Sequence, residues 1–160
     1  MKLRVVLHSQ MLIARRAGLL DLLESGAKGA HLPLPFVLAV ASRETGIRNI
    51  AGDGGHGRGV MQVDDRWHAI AAKTDFEAHP EVLIDYGCGL LRSNFDWAKK
   101  HWPEFSMLQH FKIAAASYNC GRGGVSLAMA SGDCDARTTG GNYGRDVLVR
   151  MAIYQELLLP

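Results

Sequence analysis

The sequence has little net charge, no low-complexity segment and no internal repeat. Its 160 residues carry 18 lysines and arginines against 16 aspartates and glutamates, for a formal net charge of +2. So small an excess does not predict binding to nucleic acid. With 48% hydrophobic and 21% charged residues, the composition is that of a folded globular protein and excludes a disordered chain. We therefore predict one domain over residues 1–160.

Cysteine is also scarce, and the histidines are scattered along the chain. Three cysteines cannot all pair, so either one bridge joins Cys120 and Cys134 and leaves Cys88 over, or all three are reduced and structural. Cysteine usage alone favours the reduced state. The sequence contains no CxxC pair and no HExxH motif. It therefore predicts neither a metal site nor a cofactor.

No apolar stretch approaches the length of a membrane span. The N-terminus has a basic start, but its apolar run at residues 5–7 ends at His8. Such a run is too short for the core of a signal peptide. We therefore expect no membrane insertion and no signal peptide in this sequence.

Apolar residues recur at helical spacing through most of the chain, which predicts a mainly α protein. The first helix is expected over residues 4–25, ended by Gly26. The next, over 36–46, is apolar nearly all round and is therefore expected to be buried. Further helices are predicted at 80–100, at 104–118, from 125 onwards, and at 143–158. A short strand within a small hairpin is predicted at 59–64, and loops are predicted at 119–124 and 131–142.

Five glycines lie between Gly52 and Gly59, in the stretch GDGGHGRG. So many glycines predict that the backbone closely approaches another part of the chain or a ligand. The pattern GxGxxG occurs within the stretch, but a dinucleotide site needs a strand before that motif and a helix after it. Here a predicted helix precedes the motif and a predicted strand follows it. This order argues against nucleotide binding.

Glu44 follows a run of apolar residues and lies one turn from the end of its predicted helix. Partial desolvation and the negative end of the helix dipole both disfavour its charged form and are expected to raise its pKa. A raised pKa is what a general acid needs near neutral pH. The alternative is an ordinary helix-end glutamate paired with Arg43 or Arg48, which spacing alone favours.

Two aspartates follow Glu44 across the flexible glycine stretch, Asp53 nine residues later and Asp64 twenty residues later. A chain that folds back over such glycines can bring all three carboxylates to one cleft. A protonated acid and an ionised base on opposite sides of a bond are the arrangement of an inverting glycoside hydrolase. The alternative is that Asp53 only forms a turn and Asp64 only ends a strand.

Four segments of the chain, in the same order, resemble goose-type (g-type) lysozymes, within the wider group of soluble lytic transglycosylases. These segments are SRET at 42–45, GDGGHGRGVMQVDDRWH at 52–68, AASYNCG at 115–121 and TTGGNYGRDVLVRMAIYQ at 138–155. Together they cover about residues 36–158. The chain departs from the family pattern at Cys120, where alanine is usual, and has a shorter segment between Glu44 and Asp53.

The resemblance implies a mainly α, α+β lysozyme-like fold, in which a helical bundle surrounds a long buried helix beside a small β-hairpin and a substrate cleft. It also implies cleavage of the β-1,4 bond between N-acetylmuramic acid and N-acetylglucosamine in peptidoglycan, without a cofactor. Glu44 matches the catalytic acid, and Asp53 and Asp64 match the two aspartates that position and activate water. Matches to cleft positions that contact the glycan are Gln62, His68, Tyr118, Asn119 and Tyr143.

Two alternative functions stay open at this stage. A lytic transglycosylase cleaves the same bond without water, leaves a 1,6-anhydro end, and manages with the single glutamate. Paired aspartates favour hydrolysis over this reaction. A non-catalytic peptidoglycan-binding protein of the same fold would be expected to lack Glu44. We expect a monomer that binds peptidoglycan strands, is made in the cytoplasm and reaches the cell wall by a route not encoded here.

Overall fold

The structure is a computed structural model that describes residues 2–159. Within these residues the chain forms seven α-helices and one two-stranded antiparallel hairpin. The helices are α1 Lys2–Arg16, α2 Leu19–Gly29, α3 Leu34–Thr45, α4 Ala69–Lys73, α5 Pro80–His101, α6 Met107–Met129 and α7 Tyr143–Leu157. The strands are β1 Gly57–Arg58 and β2 Val63–Asp64, and they pair Gly57 with Asp64 and Arg58 with Val63. The predicted mainly α fold with a small β-hairpin is confirmed.

Helix α3 lies at the centre of the fold, packed against α7 and α2. Its six residues from Phe36 to Ala41 are completely buried, as expected for a helix that is apolar on every side. Burying a large apolar side chain stabilises a fold by roughly 1.5–3 kcal/mol, so α3 is a major source of stability. The helix ends at Gly46, whose backbone N–H bonds to the carbonyl of Ser42 at 3.1 Å. The predicted buried helix and its end are confirmed.

The expectation of one helix over residues 4–25 is wrong. The chain breaks after α1 at Gly18, which adopts a left-handed φ of 71° that favours glycine. Gly26 does not end a helix but lies buried inside α2. A Cβ at Gly26 would come within 3.1–3.2 Å of side-chain atoms of Ile84, Asp85 and Cys88. This glycine therefore allows α2 to pack closely on α5.

Helix α6 is longer and begins later than the sequence predicts. Ser106 caps its start, because its hydroxyl accepts the N–H of Gln109 and the Gln109 side chain accepts the N–H of Ser106. The predicted loop at 119–124 is too long, since helical structure continues on both sides of Gly121 as far as Met129. The predicted interruption between two helical segments is present at Gly121, whose φ of 74° and ψ of 159° are not helical. The helix predicted at 80–100 and that at 143–158 are confirmed as α5 and α7.

The segment predicted as a strand at 59–64 contains a strand only at its end. Gly59–Gln62 form the turn of the hairpin, closed by a 3.3 Å bond from the Gln62 N–H to the Gly59 carbonyl. The short helix α4 that follows the hairpin was not predicted, because five residues are too few to show a helical period. The polar segment at 131–142 is a loop, as predicted, with one 3₁₀ turn, Thr139–Gly141.

All three cysteines are free, so the Cys120–Cys134 bridge does not form and the expectation of reduced thiols is confirmed. Burial raises the pKa of the Cys88 thiol to about 12 and that of Cys134 to about 11. Such thiols are unreactive and act as small apolar groups. Among residues 2–159, no helix is both long enough and apolar enough to cross a bilayer.

Gln62 explains why glycines surround the hairpin. Its side-chain amide lies directly above Gly52 and Gly57, in the space that a Cβ at either position would occupy. The amide nitrogen donates to the backbone carbonyls of Ile50 and Gly59, both at 2.9 Å. The close approach that the glycines predict is therefore made by another part of the chain.

We expect Gly57→Ala to lower the free energy of unfolding by roughly 1–3 kcal/mol, because the new methyl group displaces the Gln62 amide from both carbonyls. Urea denaturation measures this change. The matched control is Gly89→Ala, at an exposed site in α5 with open space around it, where the gain in helix propensity should stabilise the chain by about 0.5–1 kcal/mol. Equal stability of the Gly57 variant and the wild type would contradict the role given to Gln62.

Candidate active site

An open cleft of about 900 Å³ lies between the hairpin and helices α5 and α6. The end of α3 forms its floor, and the hairpin forms one wall. Seven of the eight residues singled out from the sequence line it, namely Glu44, Asp53, Gln62, Asp64, His68, Tyr118 and Asn119. The eighth, Tyr143, lies beneath the cleft and is only 2% exposed. The structure therefore brings the three carboxylates and four of the five predicted binding residues to one surface.

Glu44 is mostly buried in the last turn of α3, and this burial raises its pKa. The hydroxyl of Tyr143 donates a hydrogen bond to Oε1 of Glu44. This bond, together with the nearby charge of Arg43, opposes the rise without cancelling it. Within residues 2–159 neither Arg43 nor Arg48 forms a salt bridge with Glu44, so the alternative of an ordinary paired glutamate is wrong. Arg43 contacts Asp146 instead, at 3.5 Å.

The start of α7 holds Tyr143 in position. The carboxylate of Asp135 is fully buried and accepts the backbone N–H groups of Gly144 at 2.6 Å and Arg145 at 3.0 Å. It thereby satisfies donors that the first turn of a helix leaves unpaired. Gly144 has no room for a side chain, because a Cβ would lie 2.6 Å from the carbonyl oxygen of Lys112. The contact fixes α7 against α6 and fixes the ring of Tyr143 beside Glu44.

Asp133, Cys134 and Asp135 bring three possible metal ligands within 4.8 Å of one another. Both oxygens of Asp135 already cap α7, and the ammonium group of Lys112 lies 2.9 Å from Asp133 and 3.5 Å from Asp135. The ammonium group of Lys112 therefore already neutralises these carboxylates. The function of the cluster is to cap the start of α7.

Asp53 and Asp64 are joined through one arginine. The Nη2 atom of Arg66 bonds to Asp64 at 2.6 Å and also to Asp53. The backbone N–H of Arg66 donates to Asp64 at 2.8 Å. These bonds hold the pKa of Asp64 down at about 2, chiefly through the side chain of Arg66. Asp64 is therefore ionised above a pH of about 2, whereas burial lets Glu44 keep its proton to a higher pH than an exposed glutamate would.

Two of the predicted binding residues hold the hairpin in place. Gln62 closes the glycine stretch through its two backbone bonds. Tyr118 donates from its hydroxyl to the carbonyl of Met61 at 2.8 Å. Gly87 in α5 makes room for this contact, because a Cβ there would lie 2.9 Å from Met61 and 3.1 Å from the Tyr118 hydroxyl. Both side chains therefore shape the wall of the cleft that they line.

His68 and Asn119 also have partners within the protein. The Nδ1 atom of His68 lies 3.0 Å from the hydroxyl of Tyr86. The side-chain oxygen of Asn119 accepts the backbone N–H of Thr139 at 2.8 Å, and its nitrogen donates to the Thr139 hydroxyl at 3.3 Å. Asn119 thereby ties α6 to the loop that precedes α7. Its position, like that of His68, is set before any ligand is bound.

Comparison with known proteins identifies the family of the chain. A family model described as Lysozyme g matches residues 23–157. The chain belongs to the lysozyme g family. Similar relatives are lysozyme g of Casuarius casuarius and lysozyme G of Dromaius novaehollandiae, each 32% identical over 127 residues and 76% of this chain. Lysozyme g of Cyprinus carpio is 28% identical over 142 residues, 86% of this chain and 73% of its own length.

The chain spans less than two thirds of the first two of these relatives. The match covers 65% of the Casuarius casuarius protein and 59% of the Dromaius novaehollandiae protein. The region matched by the family model includes every residue that lines the cleft, from Glu44 to Thr139, and the start of α7.

Two prominent side chains of the cleft were not predicted from the sequence. Trp67 lines the cleft and is 80% exposed. The sequence feature that could have identified Trp67 is a large aromatic residue next to His68, in the polar segment that follows the hairpin. Arg122 also lines the cleft. The segment around it was predicted as a loop, so the sequence did not show which face of a helix Arg122 would occupy.

We expect Tyr143→Phe to raise the pKa of Glu44 further, because it removes a hydrogen bond that favours the ionised carboxylate while leaving most of the burial. An NMR titration of the glutamate carboxyl carbons measures this pKa. The matched control is Tyr154→Phe, a buried tyrosine of the same helix whose hydroxyl contacts Gln10 rather than Glu44. An unchanged or lower pKa of Glu44 in the Tyr143 variant would contradict this account of the site.

Proposed function

We propose that this protein is a muramidase that hydrolyses the β-1,4 bond between N-acetylmuramic acid and N-acetylglucosamine in peptidoglycan, with inversion at the sugar carbon. Glu44 protonates the leaving oxygen. Asp64, assisted by Asp53, positions and activates a water molecule on the opposite face of the sugar ring. Membership of the lysozyme g family supports the reaction class. The burial of Glu44 at the floor of the cleft is the observation that carries the proposal.

The environment of Glu44 suits a general acid. A carboxyl group must hold its proton at the working pH if it is to donate that proton to a leaving group. An exposed glutamate would be almost wholly ionised near neutral pH, whereas burial raises the pKa of Glu44. The bond from Tyr143 keeps the carboxyl group oriented without restoring an ordinary pKa.

The aspartates are suited to binding water rather than to taking its proton early. A carboxylate with a pKa of about 2 is a weak base. Asp64 therefore orients the water and stabilises the positive charge that develops on the sugar, and it accepts the proton late in the reaction. The inverting mechanism requires roughly 6.5–9.5 Å between the carboxyl groups of Glu44 and Asp64, to leave room for the water.

The glycan lies along the cleft in this proposal. Gln62, His68, Tyr118 and Asn119 line it beside the three carboxylates, and Tyr143 acts from below through Glu44. Trp67 adds a broad apolar face that is exposed to the cleft. Sugar rings stack on such faces because burying the aromatic surface removes it from water. The bound polymer is a peptidoglycan strand, and no metal or organic cofactor takes part.

We expect Glu44→Gln to lower the rate of release of soluble fragments from peptidoglycan by about 10²–10⁴-fold, the typical contribution of a general acid. The assay measures muropeptides released from purified cell walls. The matched control, Glu24→Gln, changes an exposed glutamate of α2 and should keep full activity. Substantial activity in Glu44→Gln would end the assignment. If the wild type binds insoluble peptidoglycan and releases nothing, the chain is a binding protein without catalysis.

Thermal unfolding shows whether the inactive variant Glu44→Gln is folded. The direction of the expected change in melting temperature follows from the pKa of Glu44. Because burial raises the pKa of Glu44, its stabilising contribution is complete at low pH and is lost as the pH rises through that raised pKa. Glutamine cannot ionise and avoids this loss. The melting temperature of Glu44→Gln at pH 7 should therefore equal or exceed that of the wild type, so lost activity cannot be ascribed to unfolding.

The Arg66 contact favours a second candidate, a lytic transglycosylase, because it weakens Asp64 as a base and that reaction uses no water.

Mass spectrometry of the products distinguishes hydrolysis from transglycosylation. We expect reducing ends, and we expect Asp53→Asn and Asp64→Asn each to cost less than Glu44→Gln, with the double variant worse than either. Asp21→Asn, an exposed aspartate of α2, is the control. Anhydro ends, with full activity in both aspartate variants, would establish the transglycosylase.

A further inference from the structure

Arg122 lines the cleft but has no part in the chemistry proposed above. It follows Gly121, the residue at which α6 kinks with a φ of 74° and a ψ of 159°. The backbone is not helical at Gly121, so one helical segment ends there and a second begins. The exposed side chain of Arg122 lies on the same surface as the carboxylates and Trp67.

The guanidinium group of Arg122 is fixed along one edge. Its Nε donates to the side-chain oxygen of Asn94 at 2.9 Å, and its Nη2 donates to the hydroxyl of Ser93 at 2.5 Å. The central carbon lies 5.7 Å from the ring centroid of Trp97, within the range of a cation–π contact. Asn94 is itself buried, with 9% exposure. These contacts orient a side chain that would otherwise move freely.

The other edge of the same group has no hydrogen-bond partner among residues 2–159. A guanidinium carries five N–H donors, and Nη1 of Arg122 makes no hydrogen bond with any atom of residues 2–159. Within that part of the chain no carboxylate lies within salt-bridge distance of Arg122. Arg66, the arginine on the hairpin side, is in contrast bound to Asp53 and Asp64. Arg122 therefore presents an oriented, uncompensated positive charge to the cleft.

We propose that Arg122 binds a carboxylate of the substrate strand and thereby selects strands that contain muramic acid. A planar guanidinium matches a carboxylate with two parallel hydrogen bonds, and its orientation by Asn94 and Ser93 reduces the entropy lost on binding. The inference rests on the proposed function, because a peptidoglycan strand carries this charge at every second sugar. The carboxylate is either that of the lactyl group or one in the attached stem peptide.

The test measures binding in the Glu44→Gln background, where the strands are not consumed. Calorimetry gives the dissociation constants for three soluble ligands, namely a neutral chitin oligosaccharide, a glycan strand with free lactyl carboxylates, and the same strand carrying stem peptides. Adding Arg122→Gln should weaken binding of a carboxylate-bearing strand by about 10-fold, as expected for a charge-assisted bond at a partly exposed site. Binding of the chitin oligosaccharide should be unchanged.

The three ligands identify which carboxylate is bound. Weakening only with the strand that has free lactyl groups assigns the lactyl carboxylate. Weakening with both muramic acid strands means that Arg122 accepts a carboxylate from either source, because an attached stem peptide converts the lactyl carboxylate into an amide. Weakening only with the peptide-bearing strand assigns the stem peptide. Arg122→Lys keeps the charge but loses the planar fork, so its affinity should fall between the wild type and Arg122→Gln.

A charge-matched control is Arg16→Gln, at an exposed arginine in the last turn of α1, which should change none of the three constants. Equal weakening with all three ligands would mean that Arg122 only supports the fold, and no weakening with any would also overturn the proposal. Failure of the proposed function is distinguishable, because it appears as absence of turnover in the wild-type chain. The binding titrations in the Glu44→Gln background do not depend on turnover.

Discussion

The hydrogen bond from Tyr143 to Glu44 joins the two helices on which the cleft depends. Helix α3 brings Glu44 to the floor of the cleft at its C-terminal end, and α7 brings Tyr143 there at its N-terminal end. The bond forms only because α7 begins at that point, and Asp135 holds this start by accepting two backbone N–H groups. A shift of α7 would let water reach Glu44, and its pKa would return toward that of an exposed glutamate.

The opposite wall of the cleft depends on backbone contacts rather than on a core. The hairpin has only two residues in each strand, so its ladder contributes little stability. Gln62 compensates by bonding to two backbone carbonyls inside the loop, and Tyr118 bonds to Met61 at the turn. Residues expected to touch the glycan therefore also build the wall. A substitution at Gln62 or Tyr118 changes the position of both aspartates as well as any direct contact.

Much of the fold could be predicted from the sequence, because α3, α5 and α7 have long apolar patterns bounded by proline or glycine. Glycines caused the errors in the region of α1 and α2 and in the middle of α6. Gly26 resembles a helix end but serves close packing, and the interruption predicted over 119–124 is confined to Gly121. A single sequence cannot distinguish these uses, since they depend on which helix lies opposite. Gly18 was passed over within the predicted helix 4–25 for the same reason.

The site could be predicted in part, for a related reason. The meeting of the three carboxylates follows from a flexible segment that is short enough to fold back. The burial of Tyr143 and the bonds from Arg66 to Asp53 and Asp64 depend on side chains brought together by tertiary packing. Neither feature can be predicted from the spacing of residues along the sequence. The pairing of Arg66 matters most, because it changes the expected base strength of Asp64.

The cleft holds two carboxylates in opposite ionisation states through two different physical causes. Burial at the end of an apolar helix raises the pKa of Glu44, whereas the charge and hydrogen bonds of Arg66 lower the pKa of Asp64 to about 2. Pairs of titratable groups whose pKa values are pushed apart in this way mark an acid and its partner carboxylate. Between the two values Glu44 is protonated and Asp64 is charged. The apolar sequence of α3 and the single Arg66 therefore assign the two proposed roles before any substrate enters the cleft.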